Sequence, residues 1–393
     1  MAPTITHQRD PEGVNQSGLR DHNARTILSL VRRYGGMSSA EIARRSGLSP
    51  QTVSIIVRDL EGEGLLVRGE AIRTKGKVGK PQTPMQLNAS GVHSLGLNVG
   101  RRSSELVLVD FHGEQVQEYV VTYPYPTVDG VLKFLESAIT KVEQTRPSAG
   151  WNLVGIGVTL PNEMWGWLEI VGAPKSALDQ WKAGGFVEVV SRKTDLNVFQ
   201  ENDTTAACIA EHLLGEGKEY SDFGYFFVGA FVGGGLVLDD KIISGRNKSA
   251  ASFGSMPITG INGNQTQLLN LASIYALEER LTDAGIDPDV IRETPNDWSV
   301  IESHAAAWAE ETGAYLALAS ATVASVVEVQ AILIDGAVPS SVRTAICSSA
   351  SRHLAQMELD GIDKPLITEA SVGRVARSIG AGLLPIHANY FLN

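Results

Sequence analysis

Two stretches of this 393-residue chain bring together side chains that could do chemistry. One is Glu201-Asn202-Asp203, placed after a strand-patterned run at 198–200 and continuing through Thr204, Thr205, Ala206 and Ala207 into a helix ending near Glu211. A carboxylate beside an amide at the end of a strand can orient a polyol, because the amide donates and accepts while the carboxylate accepts a hydroxyl proton. Asp203 could equally be the N-cap of the helix that follows, and the two roles do not exclude each other. Gly233-Gly234-Gly235 lets a backbone approach a sugar or phosphate without a Cβ in the way, although a tight hairpin would use the same triplet. The other stretch is Ser49, Gln51, Thr52, Ser54, Ile55 and Arg58. Glutamine can pair with an adenine edge, threonine and isoleucine can meet a thymine methyl, and arginine can reach guanine or phosphate.

The elements that must position the second set are short helices. Ile27, Leu28, Leu30 and Val31 recur at helical spacing over 19–34, and Gly35-Gly36 ends that helix. Ser38 and Glu41 form a capping box for a second helix through Arg45, with Gly47 supplying the turn. Ser49 as N-cap and Pro50 at the first helical position open a third helix, on which Val53, Ile56, Val57 and Leu60 make the apolar stripe. Gln51, Thr52, Ile55 and Arg58 then point away from the core, as a recognition helix in a major groove requires; a small bundle with a solvated polar face is the alternative. Residues 65–67 and 85–87 read as strands flanking a Gly-rich stretch with Arg73, Lys75, Lys77 and Lys80. That is a winged hairpin with a cationic tip, suited to neutralising phosphates without reading sequence.

From Val92 onward strands alternate with helices. Strands at 95–99, 105–111 and 117–122, a helix at 128–143 and strands at 154–160 and 198–200 are followed by strands at 224–232, 235–239 and 241–244 that repeat the opening trio. The repeat predicts two similar lobes facing a cleft, where a ligand would bind.

Charge divides the chain in the same place. Residues 1–90 carry 13 Lys and Arg against 8 Asp and Glu, whereas the whole chain has a net charge of −11, so a basic head sits on an acidic body. That balance suits a head that approaches a polyanion such as DNA. With 43% hydrophobic residues the chain can bury ordinary cores. Residues 317–338 are the most apolar stretch, but Glu328, Gln330 and Asp335 interrupt it, so no membrane span is expected. The first residues lack a secretory signal pattern, and a cytoplasmic protein is expected. Cys208 and Cys347 are too few for a disulfide framework and read as buried, reduced thiols.

The order and spacing of these motifs resemble the ROK family, which joins sugar-responsive transcriptional repressors and bacterial sugar kinases on an actin-like, ribonuclease H-like two-lobed α/β fold. The resemblance runs from about Gly18 to Gly382 and rests on Gly79-Lys80-Pro81, Asn202-Asp203 with Ala207 and Glu211, Gly233-Gly234-Gly235, Gly245 with Ala250, Phe253-Gly254 and Gly380-Ala381-Gly382. It implies a flexible N-terminus at 1–17, a winged helix-turn-helix at 18–90 and a two-lobed domain at 91–393. The departures bear on activity. Asn98-Val99-Gly100-Arg101 stands where the kinases hold metal and phosphates with an aspartate, paired glycines and a threonine; Gly229-Ala230 replaces glycine-threonine, and Asp335-Gly336 replaces the adenosine-side glycine pair. Ser252 and Ser255 fall where the family has a glutamate and a histidine, Leu269 near a later glutamate, and 259–271 lacks the cysteines of the family's zinc site.

The resemblance therefore implies a regulator rather than an enzyme, with no cofactor and no metal. It would bind a double-stranded DNA operator as a homodimer or homotetramer and answer to a small effector such as a sugar, held by Asn202, Asp203, Gly233, Gly234, Ser252 and Ser255. The alternatives are an ATP-dependent sugar kinase using Asp203 as base, and a constitutive DNA-binding protein whose body serves only for oligomerisation.

Overall fold

The computed structural model describes residues 16–70, 83–146, 151–161, 172–246, 248–260 and 263–392. The head consists of α1 (Gln16–Tyr34), α2 (Ser39–Ser46), α3 (Pro50–Gly62), β1 (Leu66–Arg68) and β2 (Met85–Leu87). Local chemistry sets its corners. Ser38 Oγ accepts from the Glu41 N–H at 3.3 Å, Gly47 closes α2 at φ 71°, and Ser49 Oγ accepts from the Thr52 N–H at 3.1 Å. Val53, Ile56, Val57 and Leu60 are all buried, as the stripe requires. β1 and β2 pair antiparallel with Leu66 opposite Leu87, which is the base of the wing. Arg73, Lys75, Lys77 and Lys80, with Gly79 and Pro81, lie outside the described residues. The first helix begins at Gln16, inside the segment expected to precede the head.

The body holds two sheets of five strands with one topology. The first contains β3 (His93–Val99), β4 (Ser103–Asp110), β5 (Gln115–Thr122), β6 (Leu153–Leu160) and β7 (Val198–Asn202), interleaved with α4 (Val128–Gln144), α5 (Lys175–Lys182) and α6 (Phe186–Thr194). Its order is β5-β4-β3-β6-β7. After α7 (Asp203–Leu214) come β8 (Phe223–Val228), β9 (Gly233–Leu238) and β10 (Lys241–Ile242). The small pair β11 (Pro257–Thr259) and β12 (Gln265–Gln267) is followed by α8 (Ile274–Asp283), α9 (Val290–Glu293) and α10 (Glu302–Val326). β13 (Ala331–Gly336), α11 (Ser340–Gln356), β14 (Leu366–Glu369) and α12 (Ala376–Tyr390) complete the chain. The second sheet has the order β10-β9-β8-β13-β14, so each lobe starts as an antiparallel trio and continues with two parallel strands. The duplication read from the sequence is present in the sheet order.

Three expectations need correction. The run expected as a strand over 224–232 ends at Val228, and Gly233-Gly234-Gly235 form the start of β9 rather than a hairpin turn. The triplet is needed for packing: a Cβ on Gly233 would lie 2.4 Å from Thr204 Cγ2, on Gly234 2.3 Å from Phe253 Cδ2, and on Gly235 2.4 Å from Cys208 Cβ. Its glycines let α7 and the Phe253 turn press onto the strand. The N-cap of α7 is Asn202 and not Asp203; Asn202 Oδ1 accepts from the backbone N–H groups of Thr204 at 3.0 Å and Thr205 at 3.2 Å.

α12 crosses the first sheet and ties the molecule together. A Cβ on Gly157 would sit 1.8 Å from Ala381 O, and one on Gly380 1.8 Å from Ala206 O, so neither site has room for a side chain. Beyond its C-terminus, Phe391 stacks on Phe111 of the body at 5.6 Å while the Arg32 guanidinium of α1 covers the same ring at 4.5 Å. The Leu392 N–H donates to Ser29 Oγ at 3.0 Å, and Arg33 pairs with Asp240 at 3.0 Å. Burial against the body brings Arg32 down to about 10. One apolar cluster runs without a break from Ile27 and Val57 in the head to Phe111, Ile379 and Leu383 in the body. The apolar stretch 317–338 divides between the end of α10 and β13, and no described helix is long and apolar enough to cross a membrane. Both thiols are buried, which pushes Cys347 up to about 12 and Cys208 further still.

Candidate functional site

The outer face of α3 carries the residues expected there. Ser49, Gln51, Ser54, Ile55 and Arg58 are exposed, while Thr52 is half-buried with its hydroxyl 2.8 Å from that of Ser49. Ile55 is 49% exposed, so it is an aliphatic group kept out of the core on an otherwise polar face. The face combines hydrogen-bonding groups, one apolar contact and one cation, which is what reading base edges and a neighbouring phosphate needs.

The second candidate lies between the lobes, where β7 ends and α7 begins. Asn202, Asp203, Gly233, Gly234, Ser252 and Ser255 all line one cavity of about 110 Å³. Asn202 and Asp203 come from the first lobe's edge strand and the helix after it, the two glycines from β9, and the serines from the turn that packs over β9. Asn202 spends its carbonyl on the helix cap, so its amide N–H groups are what it offers a ligand. Asp203 is 6% exposed; its Oδ1 accepts from the Thr204 N–H at 3.0 Å and its Oδ2 is 3.8 Å from Arg377 Nη1 of α12. Ser252 Oγ donates to Ser249 O at 2.8 Å. The loop leading to these serines holds Lys248 and Ala251 at positive φ, 54° and 53°, a conformation that side chains rarely adopt without being held there.

Sequence reasoning missed three members of this site. Arg101, in the turn between β3 and β4, lines the cavity and lays its guanidinium over the Phe231 ring of the other lobe at 4.6 Å. Burial brings it down to about 10, with Asp203 opposing the shift and Arg377 adding to it. Lys248 lines the cavity and donates to Gln200 O at 3.4 Å, and Arg377 covers Phe227 at 4.8 Å. Arg101 was visible only as a departure from the kinase pattern; Arg377 and Phe231 meet it through folding alone.

Two buried carboxylates brace the neighbourhood. Glu211 accepts from the backbone N–H groups of Glu216 at 2.7 Å, Ser371 at 3.0 Å and Val372 at 3.0 Å. Asp335 accepts from the Tyr225 hydroxyl at 3.0 Å, from the Gly336 and Gly373 N–H groups at 2.8 and 3.1 Å and from Arg343 at 3.3 Å. Burial pushes both carboxyls above the usual range despite these donors. At the end of β3, Asn98 is fully buried with its Oδ1 accepting from Thr159 Oγ1 at 3.1 Å.

Comparison with known proteins accords with this arrangement. The winged helix-turn-helix DNA-binding profile matches residues 20–67, and the ROK family profile matches residues 94–387. The chain is 24% identical over 285 residues to the DNA-binding transcriptional dual regulator NagC of Escherichia coli K12, covering 69% of this chain and 68% of that one. A crystal structure of a ROK family transcriptional regulator, homologous to E. coli Mlc, superposes with a TM-score of 0.69 at 22% identity over 95% of this chain and 97% of its own. The ROK family glucokinase of Streptomyces griseus, solved with glucose and AMPPNP, superposes with a TM-score of 0.56 at 21% identity over 74% of this chain and 98% of its own. With the family profile spanning nearly all of the body and a winged reader in front of it, the chain belongs to the ROK family.

Proposed function

We propose that this protein is a DNA-binding transcriptional regulator, a repressor of carbohydrate-related genes, whose grip on a two-fold operator is set by a small hydroxylated effector in the interlobe cavity. It acts as a homodimer or homotetramer in the cytoplasm, since paired heads match paired half-sites. The observation that carries the reading is the path of α12: Arg377 in its first turn meets Asp203 at the cavity, and Phe391 just past its end lies under Arg32 of the head. An effector that draws on Asp203 changes the partner of Arg377 and so bears on the element that seats the head. Control of this kind requires the ligand to bind two arrangements with different affinity. The relatives named as transcriptional regulators support the same reading.

The kinase alternative keeps only Asp203. Where a kinase of this family would hold metal and phosphates, Asn98 is buried against Thr159 and the Arg101 guanidinium lies on Phe231; where it would seat adenosine, Asp335 is a buried carboxylate with four partners. A cation stacked on an aromatic ring cannot coordinate magnesium. Incubation with hexoses, amino sugars, ATP and magnesium, followed by assay of ADP, is expected to give no turnover above the protein-free rate. Steady ADP release dependent on one sugar and lost in Asp203→Asn would make the protein an enzyme.

A further inference from the structure

The outward row of α3 is narrower in the fold than in the sequence. Ser49 and Thr52 turn towards each other, with their hydroxyls 2.8 Å apart and Ser49 Oγ accepting from the Thr52 N–H, so these two hydroxyls serve the helix cap. What remains is Gln51, Ser54, Ile55 and Arg58, spaced i, i+3, i+4 and i+7 on one exposed face. Among the described residues, the side chains of Gln51, Ser54 and Arg58 have no partner. The carboxylates beside them are already engaged, Asp59 with Arg20 and Glu61 with Arg68 at 2.7 and 3.0 Å. The polar members of the row are therefore left for a partner from outside the chain.

Ile55 is the member of the row that folding does not account for. It is 49% exposed and lies outside the apolar cluster that takes Val53, Ile56, Val57 and Leu60 from the same helix. A β-branched residue is a poorer helix former than the alanine, lysine or glutamate that a solvent-facing position admits, and an aliphatic surface left in water contributes nothing to stability. In the major groove the apolar feature on a base edge is the 5-methyl group of thymine. We propose that Ile55 reads the 5-methyl group of one thymine in each operator half-site, so that the choice of base there is made by an apolar contact rather than a hydrogen bond; this rests on the operator reading given above. A rise of about 1.5 Å per residue sets Gln51 and Arg58 about 10 Å apart along α3, roughly three base pairs, with Ile55 between them. The two polar ends fix the register, and the stiff χ1 of isoleucine brings its methyls to the base at little cost in entropy. A contact of this kind recognises the methyl and not the heteroatom at position 4 of the pyrimidine, so it extends to 5-methylcytosine.

The test uses an operator selected by the full-length protein. Each thymine of one half-site is replaced in turn by deoxyuridine, by cytosine paired with guanine and by 5-methylcytosine paired with guanine, and affinities are read by fluorescence anisotropy at fixed salt. At one thymine, the ratios of thymine over uracil and of 5-methylcytosine over cytosine should each favour the methylated base by about three- to tenfold, the scale of burying a methyl group. Ile55→Ala should bring both ratios to about one with the thermal midpoint unchanged, since the side chain lies outside the core, and Ile55→Val should retain most of the preference. The absence of any thymine at which both ratios exceed about twofold, or ratios that survive Ile55→Ala, overturns the assignment while leaving sequence reading by the head intact. If no operator can be selected, the operator reading falls and this inference falls with it.

Discussion

Arg58 and Asp203 separate the two activities at the level of single side chains. Arg58 is exposed and outside the apolar stripe of α3, so Arg58→Ala should leave thermal stability unchanged while weakening operator binding by about 10- to 100-fold in fluorescence anisotropy. Asp203→Asn keeps the size of the side chain but removes the charge opposite Arg377. That variant should bind operator like the parent protein and no longer respond to effector; a fully responsive variant would move the ligand site elsewhere. How legible these residues were depended on how local their environment is. Ser49, Pro50 and the stripe on α3 follow from a dozen consecutive residues, and every one takes its expected place. Arg101 and Arg377 are cleft residues only because β3, α7 and α12 converge there, which no periodicity or spacing in the sequence records. The capping role read for Asp203 falls to Asn202, because both types can cap and only the backbone path decides between them.

Among elements, α12 bears the most. It lies close enough to the first sheet and to α7 that glycine is required on both sides of the contact, at Gly157 and at Gly380. Gly157→Ala should therefore cost about 1–3 kcal/mol or more through overpacking, seen as a lowered thermal midpoint, with loss of effector response preceding loss of fold. An equally stable Gly157→Ala protein would mean that the helix can move off the sheet freely. The glycine triplet of β9 teaches a related lesson: three glycines in a row suggested a ligand loop or a hairpin, whereas their missing side chains make room for Thr204, Phe253 and Cys208. Two of the three still line the cavity, because an element packed that closely against α7 is also beside Asp203. Strand order, by contrast, was foreshadowed by the repeated opening trio, since the same succession of strand and turn signals closes the same sheet twice.

For the molecule as a whole, the question is how a cavity between lobes reaches a DNA-reading face. Head and body share one apolar cluster, to which α12 contributes Ile379, Leu383 and Ile386, and just past the end of the helix Phe391 lies between Phe111 of the body and Arg32 of the head. Phe391→Ala should leave effector affinity within about twofold and operator affinity measurable, yet reduce the coupling between them, normally about 1–3 kcal/mol, towards zero. Reciprocal titrations of effector and operator would show this, because linkage requires each to shift the other equally. The basic head on an acidic body adds direction, since only the head's surface is attractive to DNA at a distance. The central claim is that this head reads sequence, and selection of duplexes from a random library by the full-length protein tests it directly. Selection should enrich a two-fold symmetric site whose half-sites lie about 10 base pairs, or a multiple of that, apart, with the preference at one position relaxed in Arg58→Ala. Recovery of no sequence above the unselected pool, at salt where the protein still binds DNA, would contradict it.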